Sequence, residues 1–185
     1  RHPPTYGGFV DDLGPGMFAV RCILGFNSGP PMTPGGYNQN MQLVQTPDHV
    51  VLVNEMVHSS RVVPLDGRPH LPKGMRQWMG DSRGHWEGDT LVVETSNFLR
   101  ETSFRAGVTT ADLLLVERFT RVDSDMILYQ ATIENPTMYS QPWTIEMTWQ
   151  KADSAENLIF ESACHEGNYA LTSILAGARV LEGAR

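Results

Sequence analysis

Six histidines carry most of the chain's capacity for proton transfer near neutral pH. Four of them, His58, His70, His85 and His165, stand in short polar clusters with carboxylates or arginines. The densest cluster is Cys164-His165-Glu166-Gly167-Asn168-Tyr169. There His165 is a candidate general base, with Glu166 as its orienter or as a separate acid. Tyr169 is a candidate ligand contact. The same string also reads as a turn and N-cap for a following helix, with His165 in water. Cys164 beside His165 suggests a thiolate nucleophile, but strand neighbours face opposite ways, which makes that pairing poor.

Two further sets are defined by strand phase. Glu55 and His58 are three residues apart, so on a strand they meet only across a bulge. Glu55 is in phase with Val51, Val53, Val57 and Arg61, which puts a carboxylate and a guanidinium on an otherwise apolar, interior face. They read as a structural ion pair or as ligand-facing groups. Asp81, Arg83 and His85 share one strand face and are either solvated or lining a cavity. The other face holds Ser82, Gly84 and Trp86, of which Trp86 is the good core residue. Catalytic roles fall to His165, Glu166, His58, Glu55 and Arg83. Substrate contacts fall to Arg61, His70, Asp81, His85, Trp86 and Tyr169. Trp78, Trp86, Trp143 and Trp149 offer faces for a sugar or an aromatic ligand, although Trp143 and Trp149 alternate cleanly enough to be core.

No His-x-His, His-x3-His or Cys-x2-Cys spacing occurs, so no local metal site is expected, and the four clustered histidines would converge only through the fold. Haem attachment and phosphate-loop patterns are missing too, and no cofactor is expected.

The elements that must position these residues are short. Candidate strands are 41–45, 49–57, 60–64, 82–86, 90–96, 113–121, 126–134, 143–150 and 158–164, with hairpin turns at Glu87-Gly88-Asp89 and Val122-Asp123-Ser124-Asp125 and a last turn at Asp153-Ser154-Ala155-Glu156. A single helix is expected over 169–182. Strands without intervening helices exclude βαβ units and predict an antiparallel meander of eight or nine strands. Such a meander most economically closes into an up-and-down barrel, with a two-sheet sandwich as the competitor. Pro and Gly concentrate before residue 40, so 1–40 reads as an irregular arm and 41–185 as the barrel domain.

Composition narrows the partners. With 14 Lys plus Arg against 21 Asp plus Glu, the net charge is −7, and no basic face is available for nucleic acid. No apolar run reaches the roughly 18 residues that a membrane span requires. The first residue is Arg1, which suggests a removed leader or a longer parent chain. Oligomeric state is not legible.

The strings Asp66-Gly67-Arg68-Pro69-His70-Leu71-Pro72, Asp81 through Thr95 (DSRGHWEGDTLVVET) and Cys164 through Tyr169 resemble a family of uncharacterised bacterial proteins, many of them exported. The meander is similar in architecture to calycin barrels, though the lipocalin Gly-x-Trp signature is missing. The family resemblance implies a periplasmic or secreted location. In an exported chain, exactly 2 Cys imply a Cys22–Cys164 disulfide that pins the arm to the barrel, with two inert buried thiols as the alternative. Two functions then compete. One is a cofactor-independent acid–base enzyme, a lyase, isomerase or hydrolase, acting on a small organic or carbohydrate-like molecule in the barrel cavity. The other is a non-catalytic small-molecule-binding barrel. Phase discriminates them: a cavity receiving Glu55, Arg61, Asp81, Arg83 and His165 together would hold more charge than binding needs.

Overall fold

The computed structural model describes residues 21–25, 27, 29–100, 103–104, 107–108, 112–153, 155 and 158–183. Most of the expected N-terminal arm, and Ser154 and Glu156 of the last expected turn, lie outside the described residues.

Three short strands, β1 (Met41–Gln45), β2 (His49–Asn54) and β3 (Ser60–Pro64), form one antiparallel sheet in that order. Thr46 closes its first turn, with its hydroxyl accepting from His49 N–H at 3.0 Å. Five strands form the second sheet. These are β4 (Asp81–Glu87), β5 (Thr90–Ser96), β8 (Leu114–Arg121), β9 (Met126–Glu134) and β10 (Trp143–Gln150), in the order β10-β9-β8-β5-β4 and all antiparallel. A two-stranded ribbon of β6 (Ser103–Phe104) and β7 (Gly107–Val108) interrupts the path from β5 to β8. The last described element is helix α1 (Ala170–Gly183). The turn between β4 and β5 is built on Gly88, whose φ of +59° suits a residue without Cβ.

Period two decides which side chains meet. Val50, Leu52 and Val63 of the small sheet face Leu91, Val93, Leu115, Phe119, Tyr129, Ala131 and Ile133 of the large one. Trp143, Ile145, Met147 and Trp149 cover the flank of that core. Full burial of each aliphatic side chain is worth about 1.5–3 kcal/mol, which makes this alternation the fold's main driving force. The sheets come closest where β4 crosses β3. A Cβ at Gly84 would lie 2.8 Å from both Val63 Cγ1 and Leu65 Cδ2. Ser82 and Gly84 are therefore the buried inner residues of β4, and Trp86, expected in the core, is 45% exposed.

The expected closed barrel is not found. Among the described residues no ladder joins β3 to β4, or β10 to β1, so the meander stays as two sheets with open edges. The expected last strand, 158–164, takes no strand pairing. Leu158, Ile159 and Phe160 are three consecutive apolar residues without alternation, and the end of the segment is held elsewhere. The Ser162 hydroxyl meets Asn38 Nδ2 at 3.4 Å, and Cys164 is bonded to Cys22. The expected disulfide is thus present, across a sequence separation of 142.

Candidate functional site

The residues singled out by type divide among several places. Strand β2 stops at Asn54, and Glu55 leads into a 3-10 turn, Met56–His58, in which Val57 and His58 take positive φ values of 58° and 42°. That turn breaks the phase on which Glu55 and Arg61 were expected to share a face. Within β2 itself Val51 and Val53, expected inside, are the less buried residues, and Val50 and Leu52 point into the core. Glu55 is buried, but its Oε2 accepts from Asn40 N–H at 3.2 Å and Asn40 Nδ2 at 2.9 Å. His58 turns its Nδ1 toward the Ser162 carbonyl at 3.3 Å.

Arg61 points into the core and joins the two sheets. Its guanidinium forms a two-pronged ion pair with Glu117 of β8, one prong being Nη2 to Oε1 at 3.1 Å. Glu117 is fully buried between Leu115 and Phe119, on the dry face of its strand. The Tyr129 hydroxyl donates to Glu117 Oε1 at 2.7 Å and accepts from Met32 N–H at 3.1 Å. Burial, then the Glu117 carboxylate beside it, push the Tyr129 phenol well above its ordinary pKa. Its ring stacks on Trp149 with centroids 4.4 Å apart. Glu117 and Tyr129 were missed by type, yet the period-two test that singles out Glu55 also picks Glu117 from the apolar face of 114–121.

Asp81, Arg83 and His70 do come together, on the outer face of the β4–β5 hairpin. Asp81 is 5% exposed and accepts three hydrogen bonds. They come from Arg83 Nη1 at 2.7 Å, His70 Nδ1 at 3.0 Å and Leu71 N–H at 2.9 Å. The second ring nitrogen of His70 lies 3.1 Å from Glu94 Oε1, a partner that sequence spacing did not suggest. Arg83 Nε also donates to the Pro69 carbonyl at 3.0 Å, which fastens the 65–72 loop along the free edge of β4. Within that loop Arg68 holds the exposed Asp66 carboxyl down to about 2. His85 sits apart, 3.2 Å from Glu87. Glu87 is held below the usual carboxylate range by Arg118 first and His85 second.

His165, Glu166 and Tyr169 are exposed at the junction before α1. Asn168 Oδ1 accepts from Ala170 N–H at 3.2 Å, so this string satisfies donors at the helix start. None of these three, nor Glu55, His58 or Arg83, lines the molecule's large concavity, and the link to His58 is its contact with the Ser162 carbonyl just upstream.

The large concavity lies away from these clusters, lined by β1, the β8–β9 turn and the end of β10. It encloses about 1030 Å³. Its apolar wall includes Met32, Leu43, Ile127, Met147, Trp149 and Leu158. Asn27, Gln39, Gln42 and Gln150 bring amides to it, and Arg121, Asp123, Asp125 and Lys151 gather at one end. Met32 and Trp149 connect this wall to the buried Arg61–Glu117–Tyr129 network, which gives the groove a rigid back. Among the described residues no group of three or more His, Cys, Asp or Glu could hold a metal ion. No helix there is long and apolar enough to cross a membrane. Searches against family models, curated proteins and solved structures return no match to this chain, so its function has to be argued from the geometry above.

Proposed function

We propose that this protein is a non-catalytic binding protein, an open calycin-like variant of an up-and-down meander, whose groove between β1 and β10 takes a small organic ligand. The carrying observation is the make-up of that groove: apolar walls interleaved with amides, a charged cluster at one end, and none of the eleven residues first singled out for chemistry among those lining it. Arg61 is consumed by Glu117, Glu55 by Asn40, and Asp81 with Arg83 by an outer-face network. A concave, largely apolar site with a few polar groups is the usual form of a small-molecule pocket. The disulfide supports an extracytoplasmic location.

The test is a titration with 8-anilinonaphthalene-1-sulfonate, read by the gain in the dye's own fluorescence. Leu158 is 56% exposed on the groove wall, so Leu158→Asp leaves the core untouched. It is expected to weaken binding of the dye about tenfold, because the new carboxylate repels the sulfonate and apolar wall is lost. Unchanged affinity in the folded variant places the ligand elsewhere.

One observation favours a second reading. Asp81 is a buried carboxylate orienting a quarter-exposed imidazole, whose far ring nitrogen would act as a general base once the exposed Glu94, 3.1 Å from it, swings into solvent. On that reading His70→Gln abolishes a hydrolase or isomerase activity without changing the melting temperature.

A further inference from the structure

The groove has a second property, seen when main-chain hydrogen bonds are followed instead of side chains. β1 pairs with β2 alone and β10 with β9 alone among the described strands. Each therefore turns a row of N–H and C=O groups away from its sheet. Residues 41, 42 and 43 all line the groove, and so do residues 147 through 150. Alternate residues of a strand point to opposite faces. A consecutive run borders one concavity where that concavity opens along the strand's edge or wraps its end, and here the 123–125 turn, Met126 and Ile127 join the lining. The groove thus meets two strands whose outer main-chain edges are unpaired among the described residues.

The opposite edge of the five-stranded sheet is protected. β4 carries Asp81, Arg83 and Glu87, and the 65–72 loop is fastened over it by Arg83 and Asp81. β1, Met-Gln-Leu-Val-Gln, and β10, Trp-Thr-Ile-Glu-Met-Thr-Trp-Gln, contain neither Lys nor Pro, the residues that usually guard an edge. The concavity is also at or above the roughly 300–1,000 Å³ typical of a drug-sized ligand. An occupant that satisfies both edges needs donors and acceptors at strand spacing, plus apolar side chains for Leu43, Met147 and Trp149.

Resting on the reading of this groove as the ligand site, we propose that its ligand is an extended peptide segment, bound by strand addition with alternate apolar side chains toward the core. The probe is a capped heptapeptide that alternates Val or Leu with Thr and ends in Lys for solubility. It is titrated into the oxidised full chain and followed by calorimetry and amide hydrogen exchange. Binding is expected to slow exchange at residues 41–45 and 143–150. N-methylation of the peptide at alternate residues is expected to weaken it about tenfold or more, since several main-chain bonds are lost. Equal binding of the methylated peptide overturns edge recognition. If the naphthalene dye binds and the peptide does not, the small-molecule groove stands and the peptide falls. If neither binds, both fall. A dimer whose β10 amides are already protected makes a second copy of this chain the occupant, and also overturns the proposal.

Discussion

Two charged networks of similar composition sit on opposite faces of the five-stranded sheet. On the inner face Arg61, Glu117 and Tyr129 are each at most 6% exposed, and every group faces protein. On the outer face Asp81 is as deeply buried, but its partners grade outward, with Arg83 at 16%, His70 at 25% and Glu94 at 49% exposed. Both are built on strand residues in phase, with His70 of the 65–72 loop added to the outer one. They differ in what water can do when a member is lost. Around Glu117 there is no solvent to take over, so each charge depends on the other. Around His70 and Glu94 solvent can replace a missing partner. The inner network is therefore structural, tying the two sheets together and backing the groove through Met32 and Trp149. The outer one is where a side chain can move without unfolding its surroundings.

The comparison breaks most clearly at Glu117. Glu117→Gln leaves the Arg61 guanidinium buried without its counter-charge, and a loss of about 3–5 kcal/mol in urea unfolding is expected. The double variant Arg61→Met with Glu117→Leu removes both charges, and should recover most of that loss because the desolvation cost disappears as well. A single-variant loss under about 1 kcal/mol would put the pair in the solvent-exposed class, and the contrast would collapse.

Asp81→Asn is the matching test on the outer face. It keeps the shape but removes the charge that Arg83 and His70 share, and a loss of about 1.5–3 kcal/mol is expected, the worth of a hydrogen bond to a charged group. This loss should shrink in high salt, because Arg83 and His70 reach solvent. The Glu117 loss should not. Parallel urea titrations at low and high ionic strength measure both.

Much of the fold was legible because it depends on period two and turn chemistry. β1, β3, β5, β9 and β10 have the bounds expected from alternation alone. The Cys22–Cys164 bond also agrees. Closure was not legible, since a ladder between distant edges leaves no local pattern. The strand expected at 158–164 lacked alternation, and its tethers to Asn38 and Cys22 come from 124 and 142 residues away. Site reasoning failed at one turn. Residues 56–58 reset the phase after β2, so the Glu55–Arg61 pairing dissolved and Arg61 met Glu117 instead. Asp81 and Arg83 were legible as one face, but His70 reaches them through a loop whose path no spacing encodes.

Alkaline pH separates the two networks by titration. The folded Tyr129 phenol has its pKa raised, by burial first and by Glu117 second. In the unfolded chain it ionises near its ordinary value of about 10. Below that value both states hold the proton, and Tyr129 contributes its full stabilisation. Above it the unfolded state releases a proton that the folded state keeps, so stability falls as pH rises toward the folded pKa, at up to about 1.4 kcal/mol per pH unit. Tyr129→Phe removes this slope. It also frees Met32 N–H and one Glu117 lone pair, so the variant starts less stable at neutral pH and converges on the parent protein above pH of about 11. The outer network has no tyrosine among its members and should leave this limb of the profile unchanged in Asp81→Asn. Urea midpoints measured across that range decide the matter. Equal alkaline slopes in the parent and Tyr129→Phe would mean that the phenol ionises within the folded core, and that the inner face is wetter than its burial implies.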